Sequence, residues 1–220
     1  MILKVIIIII IISNLITIFF LYKKKIKNYL YKSKIKKIDI TDIHEIFNLK
    51  EISKNLKGPK KDVIIKSFSI SQSNNIVGMT SDQEAWIIAS LSKISKNIFE
   101  FGTCSGKTTY LMGLNSDKDT KIISITLSKN EISEVLKKKE DNEVSFRNIV
   151  NESIYSKFLF SGEDVEKKIK VIFQNSLEFN HQEYIGKMDL IFIDGGHTYS
   201  VVKNDSEKSF DMLSKNGIIL

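Results

Sequence analysis

The sequence predicts an α/β protein with a doubly wound, mostly parallel sheet, preceded by a helix that spans a membrane. Three observations lead to this fold class. Short, largely apolar runs alternate with stretches of helical spacing, which is typical of parallel strands covered by helices on both faces. Glycine-bearing turns follow two of these runs, where sheets of this kind bind ligands. A long uncharged segment lies near the amino terminus.

The uncharged segment covers residues 5–22, "VIIIIIIISNLITIFFLY". As a helix it would be about 27 Å long, close to the thickness of a bilayer core. The lysines and tyrosines of residues 23–37 suit an anionic lipid surface. Since Lys4 is the only charge before the segment, the positive-inside rule places the rest of the chain on the cytoplasmic side. A cleavable signal peptide is the alternative, but no small-residue cleavage site follows.

The basic character of the chain belongs to its amino terminus. Residues 1–37 hold nine lysines and no acidic residue, so 24 of the 33 basic residues remain in the rest of the chain, against 26 acidic residues. The body therefore has no cationic field to attract nucleic acid, and no nucleic-acid partner is expected. Cys104 is the only cysteine, which excludes an intrachain disulfide.

These features divide the chain into a predicted transmembrane anchor, a basic juxtamembrane segment with a helical linker, and a folded domain: residues 1–22, 23–57 and 58–220. Within the linker, the mixed charges of residues 39–57 predict a helix, and Gly58-Pro59 marks its end. The sequence stops at Leu220 within an apolar run, so we expect the last strands of the domain to lie beyond it.

The folded domain opens with an amphipathic helix. Ser81 and Glu84 have the spacing of a capping box, and Ile88, Leu91 and Ile94 follow at three-residue steps. Apolar runs, helical spacing and glycine breaks predict the later elements. These are, in order, a strand at 97–101, a helix after Gly106, a strand at 121–127, a helix at 131–140, strands at 168–173 and 188–194, a helix at 200–213 and the start of a strand at 217–220.

The turn after the first of these strands has two interpretations. It reads E-F-G-T-C-S-G-K-T, so it ends in Gly-Lys-Thr like a phosphate-binding P-loop, and the later run "LIFID" ends in an aspartate suited to magnesium. However, only three residues separate Gly102 from Gly106, whereas a P-loop has four, and its ring of amide donors depends on that length. A P-loop-like nucleotide hydrolase therefore remains an alternative.

Two motifs carry a resemblance to a known family. Glu100, Gly102 and Gly106 form an E-x-G-x-x-x-G pattern, and residues 193–205 read I-D-G-G-H-T-Y-S-V-V-K-N-D. Over residues 77–220 the chain resembles class I S-adenosylmethionine-dependent methyltransferases, in particular the methyltransferase domain family 24, related to macrocin and cephalosporin-type O-methyltransferases. The resemblance implies a Rossmann-like domain, S-adenosylmethionine as cofactor, and methylation of a hydroxyl on a small molecule or glycan.

The resemblance also implies the residues of a cofactor site. The glycine loop would hold the methionine part, the end of the second strand the ribose, and the turn after the third strand the adenine. The residues of this chain at those places are Glu100, Gly102, Thr103, Ser105 and Gly106 for the methionine part, Thr126 for the ribose, and Asn175 and Ser176 for the adenine.

Two of these positions depart from the family pattern. The family usually ends its second strand with an acid that binds both ribose hydroxyls, where this chain has Thr126. Glu131 in the next helix is a candidate to compensate. In place of the family's acid near the adenine stands Asn175, which keeps a carbonyl acceptor. A non-catalytic, membrane-tethered scaffold that has kept the fold but lost its hold on the cofactor is therefore a second alternative.

Asp194 and His197 are the candidate catalytic residues. Both stand at the carboxyl end of the predicted fourth strand, and a histidine titrates near neutrality, which suits a base that removes the acceptor's proton. Related enzymes use this aspartate as a magnesium ligand, so the resemblance implies Asp194 as a metal ligand, with further ligands expected beyond Leu220. The alternative is that His197 and Tyr199 only cap or pack the following helix.

Overall fold

The computed structural model describes residues 13–14, 16–23, 25, 50–53, 56–58, 64–68, 80–135, 151 and 153–220. The chain divides into two compact units, Met1–Asp42 and Ile43–Leu220. In the first unit the described residues are helical, and the hydroxyl of Thr17 donates to the carbonyl of Ser13, one turn back, over 2.9 Å.

The predicted membrane anchor lies only partly within the described residues. Residues 5–12 and 15 of the apolar segment are outside them. In the part of the chain that the structure describes, no helix is long and apolar enough to cross a membrane. The anchor therefore stays a prediction from the sequence.

In the second unit, the described residues form strands, helices and short 3₁₀ turns. The strands are β1 (Lys50–Ser53), β2 (Leu56–Gly58), β3 (Asn97–Phe101), β4 (Lys121–Thr126), β5 (Ile169–Phe173), β6 (Met188–Ile193) and β7 (Leu213–Ile219). The helices are α1 (Asp82–Lys93), α2 (Lys107–Asn115), α3 (Lys129–Val135) and α4 (Tyr199–Met212). Short 3₁₀ turns precede β5 and β6, at Asp164–Lys168 and Gln182–Tyr184.

Strands β3 to β7 form one parallel sheet in the order β5-β4-β3-β6-β7. From β3 the chain adds β4 and β5 on one side, then crosses back to place β6 on the other side of β3. The strand order therefore reverses between β3 and β6, and open α/β sheets bind ligands in the crevice beyond the carboxyl ends of such strands. The predicted Rossmann-like parallel sheet is confirmed.

Two hydrophobic clusters cover the two faces of this sheet. Alternate residues of β3 point to opposite faces, so Ile98 belongs to one cluster and Phe99 and Phe101 to the other. Helices α1 and α2 pack on the first cluster, and α4 contributes Met212 to the second. Full burial of each large apolar side chain contributes about 1.5–3 kcal/mol, so these faces hold the helices in place and fix the loops at the carboxyl edge.

The predicted start of α1 is confirmed. The backbone N–H of Ser81 donates to the Glu84 carboxylate over 2.8 Å, and the N–H of Glu84 donates to the Ser81 hydroxyl over 3.2 Å. This capping box provides partners for two amide groups near the helix end.

The prediction of a helix over residues 39–57 is wrong where the structure describes it. Strands β1 and β2 pair there as an antiparallel hairpin, with Lys50 opposite Gly58. A mixed-charge segment without an apolar period of 3.6 has no face to bury as a helix, whereas two short paired strands give each other backbone partners. Residues 39–49 lie outside the described residues.

Several other element bounds differ from the sequence prediction, most of them by a single residue. The last strand begins at Leu213 rather than at residue 217, because Leu213 pairs with Met188 before an irregularity shifts the register. Helix α3 begins at Lys129, two residues earlier than predicted. Residues 136–140 of that predicted helix lie outside the described residues.

Candidate functional site

The loop between β3 and α2 contains three residues with left-handed backbone conformation. These are Gly102 at φ 97°, Cys104 at φ 46° and Gly106 at φ 80°. Glycine adopts this region freely, but a cysteine there is strained, and such strain is concentrated at functional sites. The backbone of this loop, between the strands where the sheet order reverses, is therefore the first component of the candidate site.

Gly102 lies directly against the turn that follows β6. A Cβ atom built on Gly102 would stand 2.1 Å from the carbonyl oxygen of Asp194. The two segments are also tied by a hydrogen bond of 2.8 Å from the N–H of Asp194 to the carbonyl of Phe101. The resemblance implies that Gly102 belongs to the loop that holds the methionine part of a cofactor; the close approach that the structure shows is to the backbone of Asp194.

The other side of the loop is covered by a segment that the sequence motifs did not indicate. A Cβ on Gly106 would stand 2.7 Å from the ring of Phe160, which is stacked on Phe158 at a centroid distance of 5.1 Å. The N–H of Leu159 donates to the carbonyl of Ser105 over 3.0 Å. These aromatic residues come from a stretch without a recognisable motif, so only the fold reveals their contact with the loop.

Glu100 is completely buried beneath the loop. Its carboxylate accepts hydrogen bonds from the hydroxyls of Thr108 and Thr109 in the first turn of α2, and from Ser124 of β4 at 2.5 Å. The Thr103 hydroxyl lies 2.6 Å from that of Ser124 and extends the network. In the structure the side chains of Glu100 and Thr103 fasten α2 and the loop to the sheet, and their role in holding the methionine part of a cofactor stays a prediction.

The environment of Glu100 changes its acidity. Burial raises the pKa of the Glu100 carboxyl to about 7, although the three hydroxyl donors act in the opposite direction. The nearby carboxylate of Asp194 adds to the increase. A charge change at Glu100 near neutral pH would therefore alter the network that holds the first turn of α2.

The amino terminus of α2 has no side-chain cap. Gly106 occupies the capping position, and the first helical bond runs from the N–H of Tyr110 to the Gly106 carbonyl at 2.9 Å. The two threonines of the first turn direct their hydroxyls to Glu100. An uncapped helix start presents amide donors and a positive partial charge, which suits a carboxylate or another anion.

Lys107 and Thr108 are not placed to serve a P-loop. The ammonium group of Lys107 donates to the carbonyl of Thr80, in front of α1, over 3.2 Å. The hydroxyl of Thr108, which a P-loop would use for magnesium, is donated to the buried Glu100. Both groups that the nucleotide-hydrolase interpretation needs are therefore engaged elsewhere.

The residues predicted at the ribose and adenine lie at the ends of β4 and β5. Thr126 is the last residue of β4, and its carbonyl accepts the N–H of Gln174 over 2.8 Å. The side-chain carbonyl of Asn175 accepts the N–H of Leu177 over 3.0 Å, so part of its acceptor capacity is used within its own turn. The carbonyl of Ser176 accepts the side chain of Asn204, which connects this turn to α4.

Asp194 and His197 are both exposed in the turn between β6 and α4. Desolvation by the surrounding protein raises the pKa of the Asp194 carboxyl, His197 opposes this effect, and the carboxylate of Glu84 strengthens it. In the alternative, His197 and Tyr199 only cap or pack α4. Tyr199 is 83% exposed, and Thr198 caps α4 without a side-chain hydrogen bond to the helix.

A complete metal site is not present in the part of the chain that the structure describes. Among those residues no group of three or more His, Cys, Asp or Glu side chains could hold a metal ion. Asp194 as a metal ligand stays a prediction.

The sheet order, the strained glycine loop and the uncapped helix at the point of reversal define a Rossmann-like domain. A family model described as a methyltransferase domain (Methyltransf_24) matches residues 99–220. This match covers more than half of the chain, and the chain belongs to that family of methyltransferase domains.

Several solved structures are similar to the chain at low identity. Cofactor-bound Rv0187 from MTB has 16% identity and a TM-score of 0.45, with 64% of this chain and 55% of that chain covered. SAH-bound PaMTH1, a methyltransferase of Podospora anserina, has 22% identity and a TM-score of 0.41, with coverage of 64% and 52%. The O-methyltransferase TomG of Streptomyces achromogenes, in complex with SAM, has 11% identity and a TM-score of 0.44, with coverage of 87% and 68%.

The chain thus spans about half the length of the first two of these structures. No curated protein sequence matches it.

Proposed function

We propose that the chain is an S-adenosylmethionine-dependent methyltransferase that methylates a hydroxyl of a small molecule or glycan. The observation that carries the proposal is the loop of residues 102–106, which has a left-handed backbone and leads into the uncapped start of α2. This loop lies where the strand order of the sheet reverses, in a chain that belongs to a family of methyltransferase domains. The loop geometry suits an amino-acid moiety, because amide donors at a helix start bind a carboxylate.

On this proposal, different parts of the cofactor lie in the crevice beside the carboxyl ends of different strands. The start of α2 and the backbone around Ser105 would hold the methionine part of the cofactor. Thr126, at the end of β4, would lie near the ribose, and the turn at Asn175 and Ser176 near the adenine. Glu100 and Gly102 would act through the shape of the loop, since one is buried and the other lies against Asp194.

The proposed chemistry is a direct displacement. S-adenosylmethionine, when bound, would supply an electrophilic methyl group for transfer to an acceptor oxygen, with S-adenosylhomocysteine as the leaving group. His197 would take the proton of the acceptor hydroxyl, so that the acceptor would leave as a methyl ether. The exposed Asp194 carboxylate would stabilise the positive charge that develops on His197. We retain Asp194 as a candidate magnesium ligand, since a carboxylate oxygen suits that ion.

We also propose that residues 5–22 anchor the protein in a membrane, with the methyltransferase domain on the cytoplasmic side. The uncharged length of the segment and the lysines of residues 23–37 support this proposal. Under it the domain would meet its cofactor in the cytoplasm and its acceptor there or at the membrane surface.

Calorimetry with the detergent-solubilised full chain tests the assignment of the cofactor. We expect S-adenosylmethionine and S-adenosylhomocysteine to bind, and ATP with magnesium not to bind. Magnesium-dependent ATP binding would overturn the proposal in favour of the nucleotide hydrolase. If none of these ligands binds, the non-catalytic scaffold is the better description of this chain. A scan of hydroxylated acceptors with a radiolabelled methyl donor would then identify the acceptor class.

A further inference from the structure

Glu131 lies in the first turn of α3, just after β4, and its carboxylate is fixed by neighbours from two strand ends. One oxygen accepts the N–H and the hydroxyl of Ser128, over 3.0 Å and 2.6 Å. The other accepts the N–H of Asn175 over 3.1 Å. Since Asn175 stands two residues beyond the end of β5, this carboxylate lies across the carboxyl ends of β4 and β5.

This arrangement is more than a helix cap. In the capping box of α1, the hydrogen bonds described for Glu84 run to Ser81 alone, which belongs to its own helix start. Glu131 makes the same kind of contact with Ser128 and in addition holds the turn that follows a neighbouring strand. Because it also accepts the N–H of Asn175, the Glu131 carboxylate lies at the carboxyl ends of the strands, the edge of the sheet where ligands bind.

The carboxylate is also kept charged. Burial alone would raise the pKa of Glu131, but the hydrogen bonds from Ser128 and Asn175 outweigh it, and the pKa lies below its ordinary value. At neutral pH the side chain is therefore only an acceptor. A carboxylate offers about four acceptor positions, so the three donors named above leave capacity for a ligand.

A ribose presents two adjacent hydroxyls, and a carboxylate can accept both. In nucleotide-binding α/β sheets an acid beyond the end of the second strand performs this task. In this chain Thr126 ends the corresponding strand, and a single hydroxyl cannot accept the pair in that way. We propose that Glu131 binds the ribose hydroxyls of the cofactor, so that the first turn of α3 supplies the acid that the end of β4 lacks. The inference rests on the proposed function.

The test is a comparison of two ligands on two proteins. S-adenosylhomocysteine and its 2′,3′-dideoxy analogue are titrated by calorimetry into the full chain and into Glu131→Gln. We expect the unaltered chain to prefer the ribose-bearing ligand by about tenfold or more, as for hydrogen bonds to a charged acceptor. In Glu131→Gln this preference should fall to near one, with the affinity for the dideoxy analogue little changed.

A purely structural role gives a different result, because it would weaken both ligands equally and leave the preference intact. That outcome, or a preference lost in Thr126→Val but kept in Glu131→Gln, overturns the inference while the proposed function stands. Ser128→Ala is the matched control: it removes a capping hydroxyl, keeps the acid, and should keep the preference. If Glu131→Gln does not fold, Glu131→Asp must lose the preference, since its carboxylate has a shorter reach.

Failure of the proposed function is recognisable in the same experiment. In that case the unaltered chain binds neither S-adenosylhomocysteine nor its dideoxy analogue, and the inference is overturned together with the function on which it rests.

Discussion

At Gly102 the backbone of the glycine loop passes within contact distance of the turn that follows β6. We expect Gly102→Ala to destabilise the protein by several kcal/mol and to weaken cofactor binding at least tenfold. The left-handed conformation alone costs an alanine about 1 kcal/mol, and the overlap of its Cβ with the Asp194 carbonyl adds to that. Denaturant unfolding measures the first effect and calorimetry with S-adenosylhomocysteine the second.

Gly162 provides the matched control for this substitution. It has a similar φ of 85°, but a Cβ there would meet no atom within 4 Å. Gly162→Ala should therefore cost only the conformational part, about 1 kcal/mol, and leave binding unchanged. Equal effects of the two substitutions would show that the contact with Asp194 is unimportant.

The raised pKa of Glu100 predicts how the free energy of unfolding of the protein depends on pH. With its pKa raised from the ordinary 4.5 to about 7, the folded protein holds a proton in this window that the unfolded chain has released. The contribution is complete below about pH 4.5 and is lost as the pH rises to about 7, so stability should fall by a few kcal/mol and then level off. Urea unfolding at several pH values between 4.5 and 8 measures it.

The matched variant for this prediction is Glu100→Gln, which cannot titrate at this position. The pKa values of Asp194 and Asp205 are also raised, so they contribute in the same direction in both proteins. The difference between the two stability curves isolates Glu100. Parallel curves for the two proteins would mean that Glu100 is ionised in the folded state throughout this range.

Local patterns predicted residue positions better than residue partners. The motif predicted a glycine turn after a buried strand, and Gly102 and Gly106 have positive φ there, because left-handed turns and strand ends have local signatures. Glu100 lies in the strand before that turn. The partners of these three residues are Asp194, Phe160 and three hydroxyls from two elements, all fixed by tertiary packing. Since those contacts join distant parts of the sequence, spacing alone could not show that Glu100 is buried.

At the scale of elements, α2 separates the two interpretations of the glycine loop. We expect Lys107→Ala to change the affinity for S-adenosylhomocysteine by no more than about threefold, because the ammonium group donates to Thr80 and adds only a partly screened charge to the site. A P-loop lysine would contact phosphate directly, and its loss would abolish ligand binding.

Calorimetry on both proteins measures this effect, with melting temperatures recorded to show that the variant is folded. Loss of all ligand binding in folded Lys107→Ala would contradict the methyltransferase interpretation of the loop and favour the P-loop.

Elements with a strong local signal were predicted most reliably. A capping box and apolar residues at helical spacing predict helix α1, and apolar runs predict strands β3 and β6. The hairpin of β1 and β2 has no such signal, since each strand is short and is stabilised by pairing with the other. The early start of β7 likewise depends on its pairing with β6.

At the scale of the whole molecule, the alternation of strands and helices predicted a parallel sheet but not which strands are neighbours. The order β5-β4-β3-β6-β7 makes β3 the central strand and brings the turns after β3 and β6 into backbone contact. That contact places Asp194 beside Gly102, although 194 − 102 = 92 positions separate them in sequence, and His197 follows three residues after Asp194. The candidate site is therefore formed by the topology of the sheet. The sequence motif of each turn, after β3 and after β6, indicates only the residues of that turn and not its contact with the other.

The membrane anchor is a prediction about the whole molecule. Insertion of the apolar segment into a bilayer can be distinguished by experiment from binding of the lysines to a lipid surface. We expect the full chain to sediment with membranes and to remain there in high salt, because an inserted helix is held by apolar burial while lysine contacts are screened. Replacing Ile12 and Leu15 by lysine should release the protein, since each charge near the middle of a spanning helix costs about 3 kcal/mol. Immunoblots of the membrane and soluble fractions measure the distribution.

The same experiment tests the signal-peptide alternative and the orientation. Removal of residues 1–22 by a peptidase would shorten the chain visibly on a gel and would leave the domain without its anchor. If the domain faces the cytoplasm, protease added to sealed, right-side-out vesicles should leave it intact, whereas inside-out vesicles should expose it to digestion. Release by salt alone would show that residues 23–37 bind the membrane surface and that the apolar segment does not insert.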